Sequence, residues 1–481
     1  MRNIILITGC LFLTCSSSAQ FNSDAPWMSS FSQEDLKANT VRFQDIVDAF
    51  NTYWMSRDTE EKGSGYKPFK RWENYWQNFV NEDGFLPSAV DLDKAFKEKQ
   101  LFDQNRANRM TSDWQPFGPF AHVNTGSWSS GQGRINVVVQ DPSSPTTYFA
   151  GAPAGGIWKS VDSGTSWTPL SDQLGQIGVS GIAVDYNDPN IIYIATGDDD
   201  AGDSYSIGIL KSTDGGSTWI ETGLNVNNSP YTTTDLFINP EDSNTLWVAT
   251  SGGIYKSIDA GATWVEKQDG NFKALDIKPG DPSVVYALTS NKFYRSTDGG
   301  ESFSQVSSGL PLITGRFAMD VTPANPNVVY LVAANLSYNF SGVFKSTDSG
   351  QSFVQTAAPL STNILESSQA WYDLAIAVSS TDENTVFTGC LNVWKSTNGG
   401  DSFSVLNSWS NPSQPSYTHA DIHYMQFYGD NFFVGSDGGV YLSTNDGVNF
   451  ADLTEGLQVS QFYRLAVSET NSNLMVGGLQ D

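Results

Sequence analysis

Beyond residue 111, apolar residues come in short runs separated by turns rich in Gly, Asn, Asp and Ser. Examples are Ile135-Asn136-Val137-Val138-Val139, Ile191-Ile192-Tyr193-Ile194-Ala195 and Gly156-Ile157-Trp158-Lys159. Runs this short, rich in β-branched and aromatic residues, read as strands. They recur in a fixed order. A first strand is followed by a turn such as Asp188-Pro189-Asn190, Asp281-Pro282-Ser283 or Asn325-Pro326-Asn327, which leads into a second strand. A third strand of Gly-apolar-aromatic-Lys type follows, as in Gly253-Ile254-Tyr255-Lys256 and Gly342-Val343-Phe344-Lys345. It runs into Ser-x-Asp-x-Gly-x-Thr/Ser-Trp/Phe, and the aromatic opens a fourth strand. That pattern occupies 160–167, 212–219, 257–264, 296–303 and 346–353, with looser copies at 396–403 and 443–450. Its third position is Asp162, Asp214, Asp259, Asp298, Asp348, Asn398 and Asn445, with steps from 39 (259 to 298) to 52 (162 to 214). Self-similarity on this scale marks a propeller or solenoid, and four strands per repeat make one propeller blade. The fold expected is therefore all-β, a propeller of at least seven blades.

The repeated pattern suits a hairpin turn. The Asp or Asn oxygen accepts N–H bonds inside the turn, and Gly supplies a positive φ. The ring then buries between neighbouring sheets. Residues 474–481 match 432–439 of blade seven, so an eighth blade begins there and the chain as given stops within it.

The texture before the propeller differs. Ser32 followed by Gln33-Glu34-Asp35 marks a helix start, and Val41, Ile46, Val47 and Phe50 recur at helical spacing. After a glycine-containing break at 62–66, Phe69, Trp72 and Trp76 share one helix face. Such a stripe is expected to pack on the propeller side; the alternative is a carbohydrate-stacking surface. Residues 112–117 resemble a fourth strand and are expected to close the ring from its far end. The division expected is 1–19 signal peptide, 20–111 helical segment and 112–481 propeller.

Arg2, the apolar stretch from Ile4 to Leu13, and Ser17-Ser18-Ala19 form a secretory signal with cleavage before Gln20. Cys10 offers an alternative lipoprotein reading. No other stretch is long and apolar enough for a membrane span. Cys390 alone remains after cleavage, so no intrachain disulfide is expected. Composition adds one exclusion. A net charge of −26 repels phosphate backbones, which removes nucleic acid as a partner.

Blade topology puts the start of each first strand and each second-to-third loop on one face, with the repeated turns on the other. On the first face lies Thr418-His419-Ala420-Asp421-Ile422-His423, which holds two of the three histidines. Strand alternation places His419, Asp421 and His423 on one side, a set suited to a divalent metal such as zinc. The alternative is a hydrogen-bonded network that locks blades together. Tyr372, Asp373, Asn392, Asp437, Gln480 and Asp481 fall in the same sector as ligand-binding candidates. Asp421 and Asp437 are candidate acids of a glycosidase pair. Asp198, Asp199, Asp200 and Asp203 offer either a calcium site or a solvated acidic loop.

The seven turns are similar to Asp-boxes, the bacterial neuraminidase repeat, and the longer unit resembles sortilin-type propellers and their bacterial secreted relatives over roughly 112–481. The resemblance implies peptide binding, further blades and domains beyond residue 481, and a sorting domain for type IX secretion. The relatives carry a similar His-x-Asp-x-His, Asp-Gly-Gly and Gln-Asp set. Xyloglucan-cleaving double propellers carry a base aspartate in a Thr-Asp-Ile-Gly-Gly motif. The matching segment here is Ala152-Pro153-Ala154-Gly155-Gly156, with Pro153 in place of the acid. Sialidases need three arginines around a carboxylate. Arg134, Arg316 and Arg464 do begin first strands, but in blades one, five and eight. The readings carried forward are a secreted peptide- or glycan-binding propeller, a glycan-active hydrolase, and an adhesive scaffold.

Overall fold

A computed structural model describes residues 25–32, 35, 40–60, 66–104, 116–123, 129–198, 200, 202, 204–228, 232–357, 363–471 and 473–480. The signal segment, Gln33, Glu34, Asp199, Asp203 and Asp481 lie outside these. Two compact units are present, Met1–Leu92 and Asp93–Asp481. No helix among the described residues is long and apolar enough to cross a membrane.

The first unit is helical. It contains a 3-10 turn, Pro26–Met28, and helices α1 (Phe43–Trp54) and α2 (Tyr66–Trp76); α3 (Ala89–Gln104) follows. Ile46, Val47, Phe50 and Trp54 face a core shared with Trp27 and Phe69. Phe50 stacks on Phe69 at 3.8 Å, and Phe43 on Trp72 at 5.3 Å. Of the expected aromatic stripe, Phe69 is buried and Trp72 and Trp76 pack against the same core, where α1 offers rings at matching spacing.

The second unit contains seven four-stranded antiparallel sheets, each in the order first-second-third-fourth. First strands of successive blades touch one another, so they are innermost. They begin with Val137–Gln140 in blade one and Val179–Val184 in blade two, and end with Ile422–Tyr428 in blade seven. Tyr193, Trp247, Tyr286, Tyr330 and Tyr441, fully buried on second or third strands, fill the space between sheets.

Blade seven packs directly on blade one. Ile135 N–H donates to Ser436 O (3.0 Å) and Gln132 N–H to Gly438 O (2.9 Å). Gly131 and Gly438 meet here; a Cβ on Gly131 would lie 2.1 Å from the Gly438 Cα, so glycine is required. Ile135, Val138 and Trp158 share a core with Phe433, Val440 and Val459. The seam also repeats an inter-blade contact. Trp219 Nε1 donates to Leu170 O of the preceding blade (2.8 Å), and Trp167 Nε1 donates to Leu453 O of blade seven (2.7 Å).

The expected propeller of at least seven blades is found: the ring closes at seven, and blade seven draws all four strands from its own sequence, ending with Ala451–Asp452. Of the expected closing strand at 112–117, residues 112–115 lie outside the described residues, and Pro116 and Phe117 are in no strand. The eighth unit is present as a two-stranded sheet, Phe462–Val467 with Met475–Leu479. Its apolar side chains stay exposed, Leu465 by 57% and Val476 by 67%.

All seven repeated turns share three bonds: the Ser hydroxyl to the third-position oxygen, the Gly N–H to that hydroxyl, and an N–H four residues after the third position to its oxygen. A further bond, from a hydroxyl four residues on to the third-position side chain, is absent in blade seven and reversed in blade six. In blade five, Ser346 Oγ donates to Asp348 Oδ1 (2.7 Å) and accepts the Gly350 N–H (2.8 Å). Asp348 accepts the Ser352 N–H (3.0 Å) and hydroxyl (2.6 Å). The turn needs two successive positive-φ residues, not one. The extra position is Gly215, Gly299 or Gly399 in three turns, and Ser163, Ala260, Ser349 and Asp446 in the others, at φ 52–61°.

Candidate functional site

The face opposite the turns carries a charged network drawn from five blades. Arg134 leads into blade one, Asp198 and Asp200 lie in the second-to-third loop of blade two, and Arg316 opens the first strand of blade five. Tyr372 precedes the first strand of blade six, while His423 and Asp437 belong to blade seven. Arg134 Nη2 lies 2.6 Å from Asp198 Oδ2, and Asn136 Nδ2 donates to Asp198 Oδ1 (3.1 Å). Arg316 Nη2 lies 3.0 Å from Asp200 Oδ1, and its Nη1 donates to Trp371 O (2.8 Å). His423 joins the two halves, with Nδ1 3.2 Å from Asp200 Oδ2 and Nε2 2.9 Å from Asp437 Oδ1. The Tyr372 hydroxyl is 3.0 Å from both Asp437 oxygens. Its ring meets the His423 ring edge-on at 4.5 Å, with the Arg134 guanidinium 5.4 Å from its centre.

The centre of the network is buried: the His423 side chain is 0% exposed and that of Asp437 2%, while Arg316 and Asp200 keep 17% and 21%. Burial opposes charge on His423, but the hydrogen bonds it donates to Asp200 and Asp437 and their negative charges outweigh it, and its pKa rises to about 10. Burial likewise opposes charge on Asp200, yet Arg316 and His423 hold its carboxyl well below the usual range. Arg134, Arg316 and His423 thus face Asp198, Asp200 and Asp437, three cations against three anions. Such balance is what lets buried charges persist.

The expected metal set does not form. Among the described residues no group of three His, Cys, Asp or Glu could hold an ion. The strand begins only at Ile422, because Asp421 takes φ +60° and breaks the extended run. A register shift between Ile422 and Tyr424 then re-aims His423 into the network. His419 stays in the approach segment, buried, with Nδ1 3.2 Å from Ala420 O. The Asp437 N–H donates to Asp421 O (3.1 Å), but their carboxyl groups have different partners. Asp421 Oδ1 accepts from Gln369 Nε2 (2.5 Å).

Asp373 lies in a second cluster. Gln369 Nε2 donates to its Oδ2 (3.2 Å) and Cys390 Sγ to its Oδ1 (3.1 Å). Burial pushes its pKa up to about 7. Asn392 binds the Glu366 carboxylate through Nδ2 and accepts the Trp409 N–H at Oδ1 (2.7 Å). It therefore positions the Trp409 loop, whose ring is 40% exposed. Gln480 bonds within the terminal hairpin, to Gln461 O and Tyr463. Of the predicted residues, Tyr372, His423 and Asp437 come together. Arg134 and Arg316 join them from positions visible as first-strand openings, and Asp200 from the acidic loop. The available signal was a pair of arginines at equivalent rim positions in an acidic chain.

No family model matches the chain. It is 30% identical over 115 residues to a xyloglucanase from Paenibacillus sp., covering 23% of this chain and 11% of that enzyme. Its fold is similar to the GH74 enzyme of Niastella koreensis (TM-score 0.56, 17% identity), covering 73% of this chain and 59% of that one. It is also similar to the GH74 xyloglucanase of Xanthomonas campestris (TM-score 0.56, 17% identity), covering 75% of this chain and 60% of that one. At such identities the structural likeness shows the fold: a seven-bladed propeller of the architecture found in these glycoside hydrolases.

Proposed function

We propose that the protein is a secreted or surface-exposed propeller that binds a polysaccharide on its channel rim without cleaving it. The observation that carries this reading is the state of Asp437. Tyr372 and His423 bind its oxygens and the His423 cation stands against it. A glycosidase needs one carboxyl that donates a proton and a second that acts as base or nucleophile. Asp437, 2% exposed and bonded at its oxygens by Tyr372 and His423, is closed to a sugar ring and to water. Pro153, where related enzymes are expected to carry a base, cannot take a proton. What the network does offer is rigidity. Arg316 fixes the Trp371 carbonyl, Trp371 leans on Tyr372 (5.5 Å between rings), and Asn392 holds the Trp409 backbone. Aromatic rings held this way can stack on sugar faces. The similarity to a xyloglucanase favours a glycan over the peptide ligand that the sortilin resemblance implies.

Calorimetry with neutral oligosaccharides, together with a reducing-sugar assay, tests the reading. Trp409→Ala is expected to weaken binding about tenfold, the worth of one stacked ring, with no sugar release from the wild type. Reducing-sugar release abolished by Asp437→Asn or Asp421→Asn would install the hydrolase instead. Binding of a peptide library, unchanged in Trp409→Ala, would install the peptide binder.

A further inference from the structure

We infer that the helical unit carries a second contact surface for the same class of ligand, a neutral polysaccharide chain, at the end of α2. The inference rests on the glycan reading of the ligand but uses none of the rim residues. Tyr75, Trp76 and Phe79 form a three-ring cluster, with centroids 5.2 Å (Tyr75–Trp76), 5.2 Å (Tyr75–Phe79) and 5.7 Å (Trp76–Phe79) apart. Trp76 is half-buried against the unit's core and anchors the other two. Tyr75 is 58% and Phe79 47% exposed. Large rings that a helix could have turned inward are instead presented outside, while Phe69 and Trp72, one turn earlier, are used in the core.

The flanking chemistry selects the occupant. Asn74-Tyr75-Trp76-Gln77-Asn78-Phe79-Val80-Asn81 holds no charged side chain, in a chain with 26 Lys+Arg and 52 Asp+Glu. A charged polymer finds no counter-charge within it. Its polar groups are amides. Gln77 Nε2 donates to Asn74 O (3.1 Å) and Asn78 Nδ2 to Asn74 O (3.2 Å), which spends donors on the helix end and leaves the Gln77 and Asn78 side-chain oxygens as acceptors, while Asn81 Oδ1 accepts the Asp83 and Phe85 N–H groups. Ring faces beside amide acceptors match the alternating C–H faces and hydroxyl donors of a neutral sugar chain. A purely apolar protein partner would leave those amides unsatisfied. Two such surfaces on one chain bind a long polymer more tightly than a short oligosaccharide, by effective concentration.

The test uses the full chain with soluble xyloglucan in affinity electrophoresis, and a short xyloglucan oligosaccharide in calorimetry. Tyr75→Ala/Phe79→Ala is expected to weaken polymer binding about tenfold or more, with oligosaccharide affinity and melting curve unchanged. Gln77→Ala/Asn78→Ala, which keeps both rings, should weaken polymer binding less. Polymer binding equal to wild type in the ring variant overturns the inference. So does loss of self-association in sedimentation velocity with polymer binding intact, which would make a second copy the occupant. If Trp409→Ala is silent while the ring variant abolishes polymer binding, the inference stands and the rim reading falls. A wild type that binds no neutral polysaccharide overturns both.

Discussion

The two faces of the propeller hold their charges by opposite means. On one, Asp348 and its counterparts are satisfied by partners within four residues along the chain, beside solvent. On the other, His423 is satisfied by Asp200, 223 residues away, and Arg316 by Asp200, 116 residues away, both bonds part-buried between blades. A local turn can repeat seven times because it asks nothing of the rest of the molecule. The mouth network exists once because it needs five blades in place. It is thus the part of the propeller that reports whether the ring is correctly closed, and it orients the rim that the proposed ligand meets.

Breaking the network should cost most. His423→Ala leaves Asp437 and Asp200 facing each other without their shared cation, and a loss of about 3–5 kcal/mol is expected in urea denaturation. Tyr372→Phe, which removes one donor and no charge, should cost about 1 kcal/mol. A turn should cost less than the network. Ser346→Ala strands the buried Gly350 N–H, and about 1–2 kcal/mol is expected by the same measurement.

Titration should separate the faces by sign. The Thr218 and Ser302 hydroxyls, the largest influences on Asp214 and Asp298, hold these carboxyls at about 2, below their ordinary 3.8. Their contribution is whole above pH 3.8 and lost as pH falls through about 2. His423 is raised from 6.5 to about 10, so its contribution is whole below pH 6.5 and lost as pH rises through about 10. Melting temperature against pH should therefore fall at both ends, and His423→Ala should flatten the alkaline limb and, because His423 also helps hold Asp200 down, part of the acid limb. The smallest effect belongs to Asn398→Asp. Asn398 already accepts the Ser402 N–H (3.1 Å) and donates to the Ser402 hydroxyl (2.9 Å), which an aspartate can instead accept. A change within about 0.5 kcal/mol is expected at neutral pH.

The fold was legible because its signal is local. Alternating short strands, Gly-containing turns and the aromatic after each turn are all within reach of neighbouring residues. The site was half legible. His423, Asp437 and Tyr372 could be placed on one rim from blade topology. The metal set failed because strand alternation was carried back through Asp421, whose left-handed backbone ends it. Asp200 and Arg316 stood in view, yet nothing in their own neighbourhoods links blade two to blade five.

Sequence alone determined a propeller of at least seven four-stranded repeats, the place of the repeated turn in each and the sidedness of the candidate residues, since strand period and turn chemistry act over a few residues. Tertiary structure alone decided three things: that blade seven meets blade one, that Phe69 and Trp72 turn inward while Tyr75 and Phe79 stay out, and that His423 meets the carboxylates of Asp200 and Asp437. Each depends on which distant surfaces come into contact and exclude water, and buried charges then accept only the partners that contact supplies.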